Sequence, residues 1–202
     1  GDFGELSFLG SVSDGLPGEP AGMAMTDDKI YVYGSGDPEA APGNAESLIA
    51  IFDRSGVSGV PAHEASQTED VPAEGASLIT DAAGDYLFAG GAALAMFSID
   101  PEIGQVPAGR LTFLESVAVG DGVQALTAVD SAPQIFGRAT DGGDGQLFSL
   151  FYLDSDGNPA IDYDPLANLT AADMELPAGV SDPLSGRGRI DVAADGEHLV
   201  GV

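Results

Sequence analysis

The sequence has no cysteine, only one lysine and no long apolar run. Without cysteine, the chain can form neither disulfides nor thiolate metal sites. Its apolar stretches are all shorter than the roughly 18 residues that a membrane-spanning helix needs. Stretches with the period of an amphipathic helix are also scarce, whereas glycine (29 residues) and proline (13 residues) are plentiful. This composition favours short strands joined by turns.

Positive charge is the scarcest property of the chain. Six basic residues stand against 33 acidic ones in 202 residues, which gives a formal net charge of −27. A field of this sign repels nucleic acid and anionic lipid, so neither is expected as a partner. It attracts cations and keeps a protein soluble in salt that screens the self-repulsion. Both halophilic proteins and acidic, calcium-loaded bacterial surface proteins have such a composition.

One stretch of nine residues occurs twice, at positions 4–12 and 109–117. The copies read GELSFLGSV and GRLTFLESV, are identical at six positions, and lie 105 residues apart. Each copy starts with glycine and continues into β-branched and aromatic residues, which is typical of a strand. Half the spacing is about 52 residues, a little above the usual length of a β-propeller blade.

The stretches between and after the copies repeat one order: a hairpin of two strands, a loop, and a third apolar strand. This order predicts an all-β chain, a β-propeller of about three and a half four-stranded antiparallel blades. We assign residues 1–12 to the outer strand of an incomplete blade, and the next units to residues 13–70, 71–120, 121–180 and 181–202. The predicted hairpins and third strands are Met23–Thr26 with Ile30–Tyr33 and Leu48–Asp53; Ala76–Thr80 with Tyr86–Ala89 and Leu94–Asp100; and Ala125–Val129 with Gln134–Gly137 and Leu147–Asp154.

The repeat pattern indicates that each end of the chain interrupts a repeat unit. A propeller closes only when its first and last blades meet, and closure hides strand edges that otherwise invite aggregation. We therefore expect the chain to be a piece of a larger propeller, completed by more chain or by a neighbouring subunit. In isolation it is expected to be poorly stable or self-associating.

A family resemblance rests on two of these segments. The segment Leu94–Asp100, followed by Gly109–Leu114 and Val117, resembles the blade consensus of lactonase-like propellers. Ala193–Leu199 is similar to the hairpin of the same group. The resemblance covers nearly the whole chain and implies the propeller fold. It does not imply an activity, because many non-enzymatic surface propellers share these blades. The absence of tryptophan removes the WD-repeat, sialidase-box and quinoprotein-blade patterns.

The resemblance implies a site of carboxylate, arginine and histidine groups at the starts of the inner strands. The matching positions here hold Glu74, Gln124, Arg187 and Arg189, with no histidine among them. General acid–base catalysis would then depend on a lone carboxylate such as Glu74. The alternative is that these are ordinary polar residues at strand edges. His198 is expected in a surface hairpin, and His63 in an acidic loop without a strand.

The densest cluster of oxygen ligands lies near the end of the third unit. Calcium takes six to eight oxygens, and alternating acidic residues in a turn can supply several, so this is the predicted calcium site. The alternative is a hairpin turn with solvated carboxylates. Gly142–Leu147 begins like a glycine-rich calcium motif but favours a plain turn, and Asn168–Thr170 matches a glycosylation sequon. The predicted calcium ligands are Asp154, Asp156, Asn158, Asp162 and Asp164.

Two functions fit this sequence. The first is a non-catalytic acidic propeller module of a prokaryotic extracellular or cell-surface protein, serving as a scaffold or binding face, with no cofactor or with calcium. The acidic excess and the missing catalytic histidine favour it. The alternative is a lactonase-like hydrolase that uses a carboxylate in the central channel, which would need convergent polar groups at one mouth of that channel.

Overall fold

The computed structural model describes residues 11–35, 47–54, 60–101, 109–170, 190–192 and 199–201. These residues form fifteen β-strands and one short 3-10 helix, Pro165–Ala167, with no α-helix in the ranges given. Nowhere in those ranges is there a helix of the length and hydrophobicity that crossing a membrane requires. The chain is therefore all-β in its described parts, as the sequence predicts.

The strands form four antiparallel sheets that follow one another along the chain. In each of the first three sheets, the first four strands lie side by side in chain order. The first sheet contains β1 (Glu19–Met25), β2 (Lys29–Ser35), β3 (Ser47–Asp53) and β4 (Ala62–Gln67). The second contains β5 (Ser77–Thr80), β6 (Tyr86–Gly90), β7 (Leu94–Ile99) and β8 (Leu111–Val117). The third contains β9 (Gly122–Ala128), β10 (Gln134–Asp141), β11 (Asp144–Leu153), β12 (Pro159–Tyr163) and β13 (Leu169–Thr170), and the fourth contains β14 (Ile190–Val192) and β15 (Leu199–Gly201).

The third sheet departs from the four-stranded plan at its far edge. Its strand β11 is ten residues long, and β12 and β13 both pair with it, at different positions along its length. The 3-10 helix Pro165–Ala167 separates these two short strands. The carboxylate of Asp164 caps this helix by accepting a hydrogen bond from Leu166 N at 2.9 Å.

The sheets pack face to face, with their first strands as neighbours. Strand β1 contacts β5, β5 contacts β9, and β9 contacts β14. One apolar core lies between the first and second sheets and includes Tyr31, Tyr33 and Phe97. Another lies between the second and third sheets and includes Phe88, Met96 and Phe148. Because both faces of β2 and β3 are covered, these strands are almost continuously apolar instead of alternating.

The all-β antiparallel prediction is confirmed, and the described sheets do not close into a ring. The expected placement of His63 in a loop was wrong, because His63 lies in β4, the edge strand of the first sheet. Strand β4 is polar and mostly exposed, so it lacks the apolar pattern that identifies a buried strand.

The duplication can be followed only in part. Leu111–Val117 is the fourth strand of its sheet, whereas residues 4–10 of the first copy lie outside the described residues. Gly15 and Gly120 follow the two copies, again 105 positions apart. Both have a left-handed backbone, with φ of 73° and 54°. The two copies thus lead into turns of similar conformation, a conformation that glycine adopts without strain.

The Tyr33 hydroxyl provides a test of the packing between sheets. It is fully buried and donates a hydrogen bond of 2.6 Å to Pro72 O in the connection between β4 and β5. We expect Tyr33→Phe to lower the free energy of unfolding by about 1–2 kcal/mol, because a buried carbonyl loses its donor. Urea unfolding at neutral pH measures this. Tyr86→Phe is the control and should change stability by less than about 0.5 kcal/mol; equal losses in both variants would refute the assignment.

The same residue predicts how stability depends on alkaline pH. Burial raises the pKa of Tyr33 above its ordinary value. Because an unfolded tyrosine ionises near pH 10 while the buried one stays neutral, this stabilisation is complete below about pH 10 and is lost as the pH rises further. Unfolding followed across this range should show a shallower loss of stability in Tyr33→Phe than in the unmodified chain.

Candidate functional site

A concavity in the described part of the chain lies where the first strands of three sheets end. It is an open groove of about 740 Å³. Three turns form its walls: the one between β1 and β2, the one between β5 and β6, and the residues after β9. The segments after β3 and β7 complete it. The fold thus brings equivalent turns of successive sheets together at one end of the stack.

The groove is strongly acidic. Its lining contains six aspartates but only two basic residues, Lys29 and Arg54. Lys29 is buried and paired, and Arg54 donates a hydrogen bond of 3.2 Å to Thr26 O. Low-dielectric walls lined by one sign of charge concentrate counter-ions, so the groove attracts cations. The six aspartates are Asp27, Asp28, Asp81, Asp85, Asp100 and Asp130.

Asp81 is the buried member of this set, with 6% of its surface exposed. Its Oδ1 accepts hydrogen bonds of 2.8 Å from the backbone nitrogens of Asp85 and Tyr86, which closes the turn between β5 and β6. Burial, with the nearby Asp81 charge as the second cause, raises the pKa of Tyr152 to about 12. Asp81 therefore orders the turn, and its fixed charge lies beside the packed rings of Tyr152 and Tyr86.

Lys29, the single lysine, lies in the lining of the groove and links β2 to the edge strand β4. Its Nζ lies 2.6 Å from Glu64 Oε2 in β4, and only 6% of the residue is exposed. Beside this ion pair, the Tyr31 hydroxyl donates a hydrogen bond of 3.1 Å to Gly109 O, at the start of the last strand of the second sheet. Burial and then the charge of Glu64 raise the pKa of Tyr31.

The residues that the resemblance suggested lie at the other end of the sheets. Glu74 is exposed in the connection before β5, and Gln124 is half-buried near the start of β9. Backbone hydrogen bonds from Ala92 N to Ala73 O (2.8 Å) and from Val123 N to Gly91 O (2.7 Å) bring these two segments to one edge. Arg187 and Arg189 lie outside the described residues.

Glu74 also has a conformational role at this edge. Its φ is 56°, a left-handed backbone that is uncommon for residues other than glycine. The following Gly75 lies directly over the Tyr33 ring, where a Cβ would approach Tyr33 Cζ to 2.9 Å. The left-handed turn at Glu74 thus lets the chain wrap closely around Tyr33.

Neither histidine lies in the groove among the residues that the structure describes. His63 stacks edge-on against Phe52, with ring centroids 5.4 Å apart, and its Nε2 is 3.1 Å from Ser66 Oγ. His198 lies outside the described residues. The described part of the groove therefore offers carboxylates and no imidazole for proton transfer.

The predicted calcium loop forms a compact turn. Asp154 Oδ1 accepts hydrogen bonds of 2.8 Å from the backbone nitrogens of Asn158 and Asp156, and the Asn158 amide donates to Asp154 Oδ2 at 3.1 Å. The bonds from Asn158 are the main reason that the pKa of Asp154 lies below its ordinary value. Asp162 lies in β12, and Asp164 caps the 3-10 helix. Across the described ranges, no three His, Cys, Asp or Glu side chains are arranged to hold a metal ion. Calcium binding here stays a prediction.

Two further sequence motifs have structural roles. Gly142 and Gly143 form the two-residue turn between β10 and β11, with φ of 59° and 92°, the turn chemistry that a tight hairpin favours. The Asn168 amide of the sequon donates hydrogen bonds to Gln146 Oε1 (3.0 Å) and Tyr163 Oη (2.8 Å). Glycosylation would leave that nitrogen a single hydrogen and so remove one of the two bonds, and the geometry therefore argues against the sequon being used.

Neither the groove nor its ion pair was predicted from the sequence. A signal for the groove is present, because aspartates recur at the turn after the first strand of successive units. The Lys29–Glu64 pair spans 35 positions and carries no local pattern. Arg138 was also missed: it is 3% exposed, its Nε has no hydrogen-bond partner, and burial lowers the pKa of its guanidinium.

Comparisons with known proteins identify the fold and not the activity. No protein-family model matches the sequence, and no curated protein matches it either. Among solved structures, the chain is similar to a Bacteroides uniformis protein described as a "putative 6-phosphogluconolactonase". The two share 10% sequence identity with a TM-score of 0.60, over 90% of this chain and 46% of that one. The chain thus spans less than half of its structural neighbour, and the likeness is one of fold.

The Lys29–Glu64 pair predicts a measurable stability difference. Glu64→Gln leaves the Lys29 ammonium buried without its carboxylate. Breaking a fully buried pair costs roughly 3–5 kcal/mol, but the Glu64 side chain is 32% exposed. We therefore expect a loss of about 2 kcal/mol in urea unfolding, reduced by solvent screening. Glu69→Gln is the matched control because Glu69 is exposed, and a similar small loss in both variants would contradict the role given to the pair.

Proposed function

We propose that the chain is part of an acidic, non-catalytic β-propeller module that binds positively charged partners. In this proposal the stacked sheets are blades, and the groove at the ends of their first strands is the binding face. The observation that carries it is the groove itself, with six aspartates and two basic residues in one concavity. The proposal includes an extracellular or cell-surface location, which the acidity of the whole chain supports.

The propeller part of the proposal follows from the order of strands and sheets. In the first three sheets, the first four strands pair antiparallel in succession, and the first strands of successive sheets are neighbours. This is the arrangement in which blades stand around a common axis, with the innermost strands closest to that axis. The fold likeness to a longer solved protein supports the same reading. Closure of the ring remains part of the proposal.

The groove suits a cationic ligand for electrostatic and conformational reasons. Asp27, Asp85 and Asp130 come from three different turns, so a ligand would contact several sheets at once. The turn that carries Asp85 is held by the Asp81 carboxylate, which reduces the conformational entropy lost on binding. The chemical class that fits is a flexible polycation, such as a lysine-rich peptide segment of another protein.

The alternative is a lactonase-like hydrolase, which the fold of the neighbouring structure favours. A phosphorylated lactone is an anion, and in the groove it would meet six aspartates, with Arg54 as the exposed basic residue. At the other end of the sheets, Glu74 is an exposed carboxylate in a turn without a described histidine nearby. The geometry therefore favours binding of cations over hydrolysis of such an ester.

Titration calorimetry with an oligolysine peptide at low ionic strength tests the proposed function. The variant Asp27→Asn/Asp85→Asn/Asp130→Asn removes one charge from each turn and should weaken binding about tenfold or more, which corresponds to about 1.4 kcal/mol. The matched control Glu69→Gln/Asp141→Asn/Asp144→Asn removes the same charge at the opposite end of the sheets. It should lower affinity much less, through the overall field alone.

Two results would contradict the proposal. One is an equal loss of affinity in both triple variants, which would mean that the peptide responds only to net charge. The other is hydrolysis of 6-phosphogluconolactone by the unmodified chain that Glu74→Gln abolishes, which would support the alternative. Titration of calcium chloride into the unmodified chain and into Asp154→Asn separates calcium binding at the Asp154 loop from binding in the groove.

A further inference from the structure

Among the described lining residues of the acidic groove, Met25 is the exposed large apolar side chain. It is the last residue of β1, and 51% of its surface is exposed. The first strands of the next two sheets end in the same lining with smaller residues, Thr80 in β5 and Ala128 in β9. Ile99 also lines the groove but packs against the core between the first two sheets. The groove therefore offers a ligand one large apolar contact among its carboxylates.

The position that Met25 occupies stays accessible even where another sheet packs in front of it. Met25, Thr80 and Ala128 each pair with the second residue of the following strand, so the three positions are equivalent. The first sheet packs against β5, and the second sheet packs against β9. Thr80 and Ala128 nevertheless remain partly exposed in the groove lining. Access to Met25 is thus a property of the groove and does not require an uncovered sheet face.

Aspartates from two sheets border Met25. In its own sheet, Thr26 and then Asp27 follow it in the turn between β1 and β2. In the second sheet, Thr80 Oγ1 donates a hydrogen bond of 3.5 Å to Met25 O, and Asp81 follows Thr80 directly. Both of these turns belong to the groove lining. A ligand side chain that contacts Met25 therefore lies between carboxylates of two sheets.

We propose that the groove prefers a basic peptide segment that carries a large apolar side chain next to its lysines or arginines, and that Met25 contacts this side chain. This specificity rests on the proposed function, for which the positive charges alone would suffice. A methionine side chain is unbranched and polarizable, so it adapts to apolar partners of different shape. Burial of apolar surface in the contact adds to the attraction by the aspartates. Because salt screens the charges and not the apolar contact, the preference should persist at high ionic strength.

Titration calorimetry with two peptides of equal charge tests this directly. Both are oligolysines in which one internal lysine is replaced, by leucine in one peptide and by serine in the other. The leucine peptide should bind the unmodified chain about tenfold more tightly, which corresponds to about 1.4 kcal/mol. Met25→Gln should abolish this difference and leave the affinity for the serine peptide unchanged. Met23→Gln is the matched control and should keep the difference, because Met23 is 60% exposed on the same strand but lies outside the groove lining.

A second measurement on the unmodified chain covers the case in which Met25→Gln does not fold. At equal saturation, the leucine peptide should slow the oxidation of Met25 by hydrogen peroxide more than the serine peptide does, and Met23 should react equally fast with both. Equal affinities of the two peptides, a difference that Met25→Gln retains, or equal protection of Met25 would each overturn this specificity while leaving the binding of oligolysine intact. The proposed function fails by a different result, an equal loss of oligolysine affinity in the two triple variants, and this specificity would then fail with it.

Discussion

The close approach of the first strands is the constraint on which the rest of the structure depends. Where β1 passes β5, a Cβ on Gly22 would lie 2.7 Å from the backbone nitrogen of Leu78. Where the second sheet meets β9, a Cβ on Gly90 would lie 2.6 Å from Val123 Cγ1. Contacts this short are essentially closed to any residue with a side chain, so glycine here is a consequence of packing. They hold the sheets together along one edge and align their turns, which creates the groove.

The distribution of charge follows from the same packing. Of the four basic residues in the described ranges, Lys29 and Arg138 are buried, and Arg54 and Arg110 are exposed. Half of the described positive charge is therefore withdrawn from the surface, where carboxylates dominate. The buried Lys29 is stabilised by Glu64, so its charge is neutralised close to where it lies. The groove consequently keeps a strongly negative potential even though a lysine lies within its lining.

Local patterns in the sequence were sufficient to predict the apolar strands. Strands such as β2 and β3 are nearly all apolar because both of their faces are buried, one against the second sheet and the other against residues that include Val12 and Leu16. Turns such as the one between β5 and β6 carry glycine and aspartate. Strand β4 was missed because an exposed edge strand has no apolar alternation, and its sequence, AHEASQ, contains no apolar residue larger than alanine. The groove was missed because it depends on which turns meet in space. The resemblance pointed instead to the starts of the inner strands, where Glu74 and Gln124 lie.

The central claim is that successive sheets stack closely, with β1 beside β5 and the end of β6 beside β9. In a nuclear magnetic resonance spectrum of the isotopically labelled chain, we expect a nuclear Overhauser effect between the Gly22 α-protons and the Leu78 amide proton. We expect another between the Gly90 α-protons and a Val123 methyl group. Both pairs belong to different sheets and are far apart in the sequence. If both effects are absent while those within each sheet are present, the sheets form but do not stack in this way, and the account is contradicted.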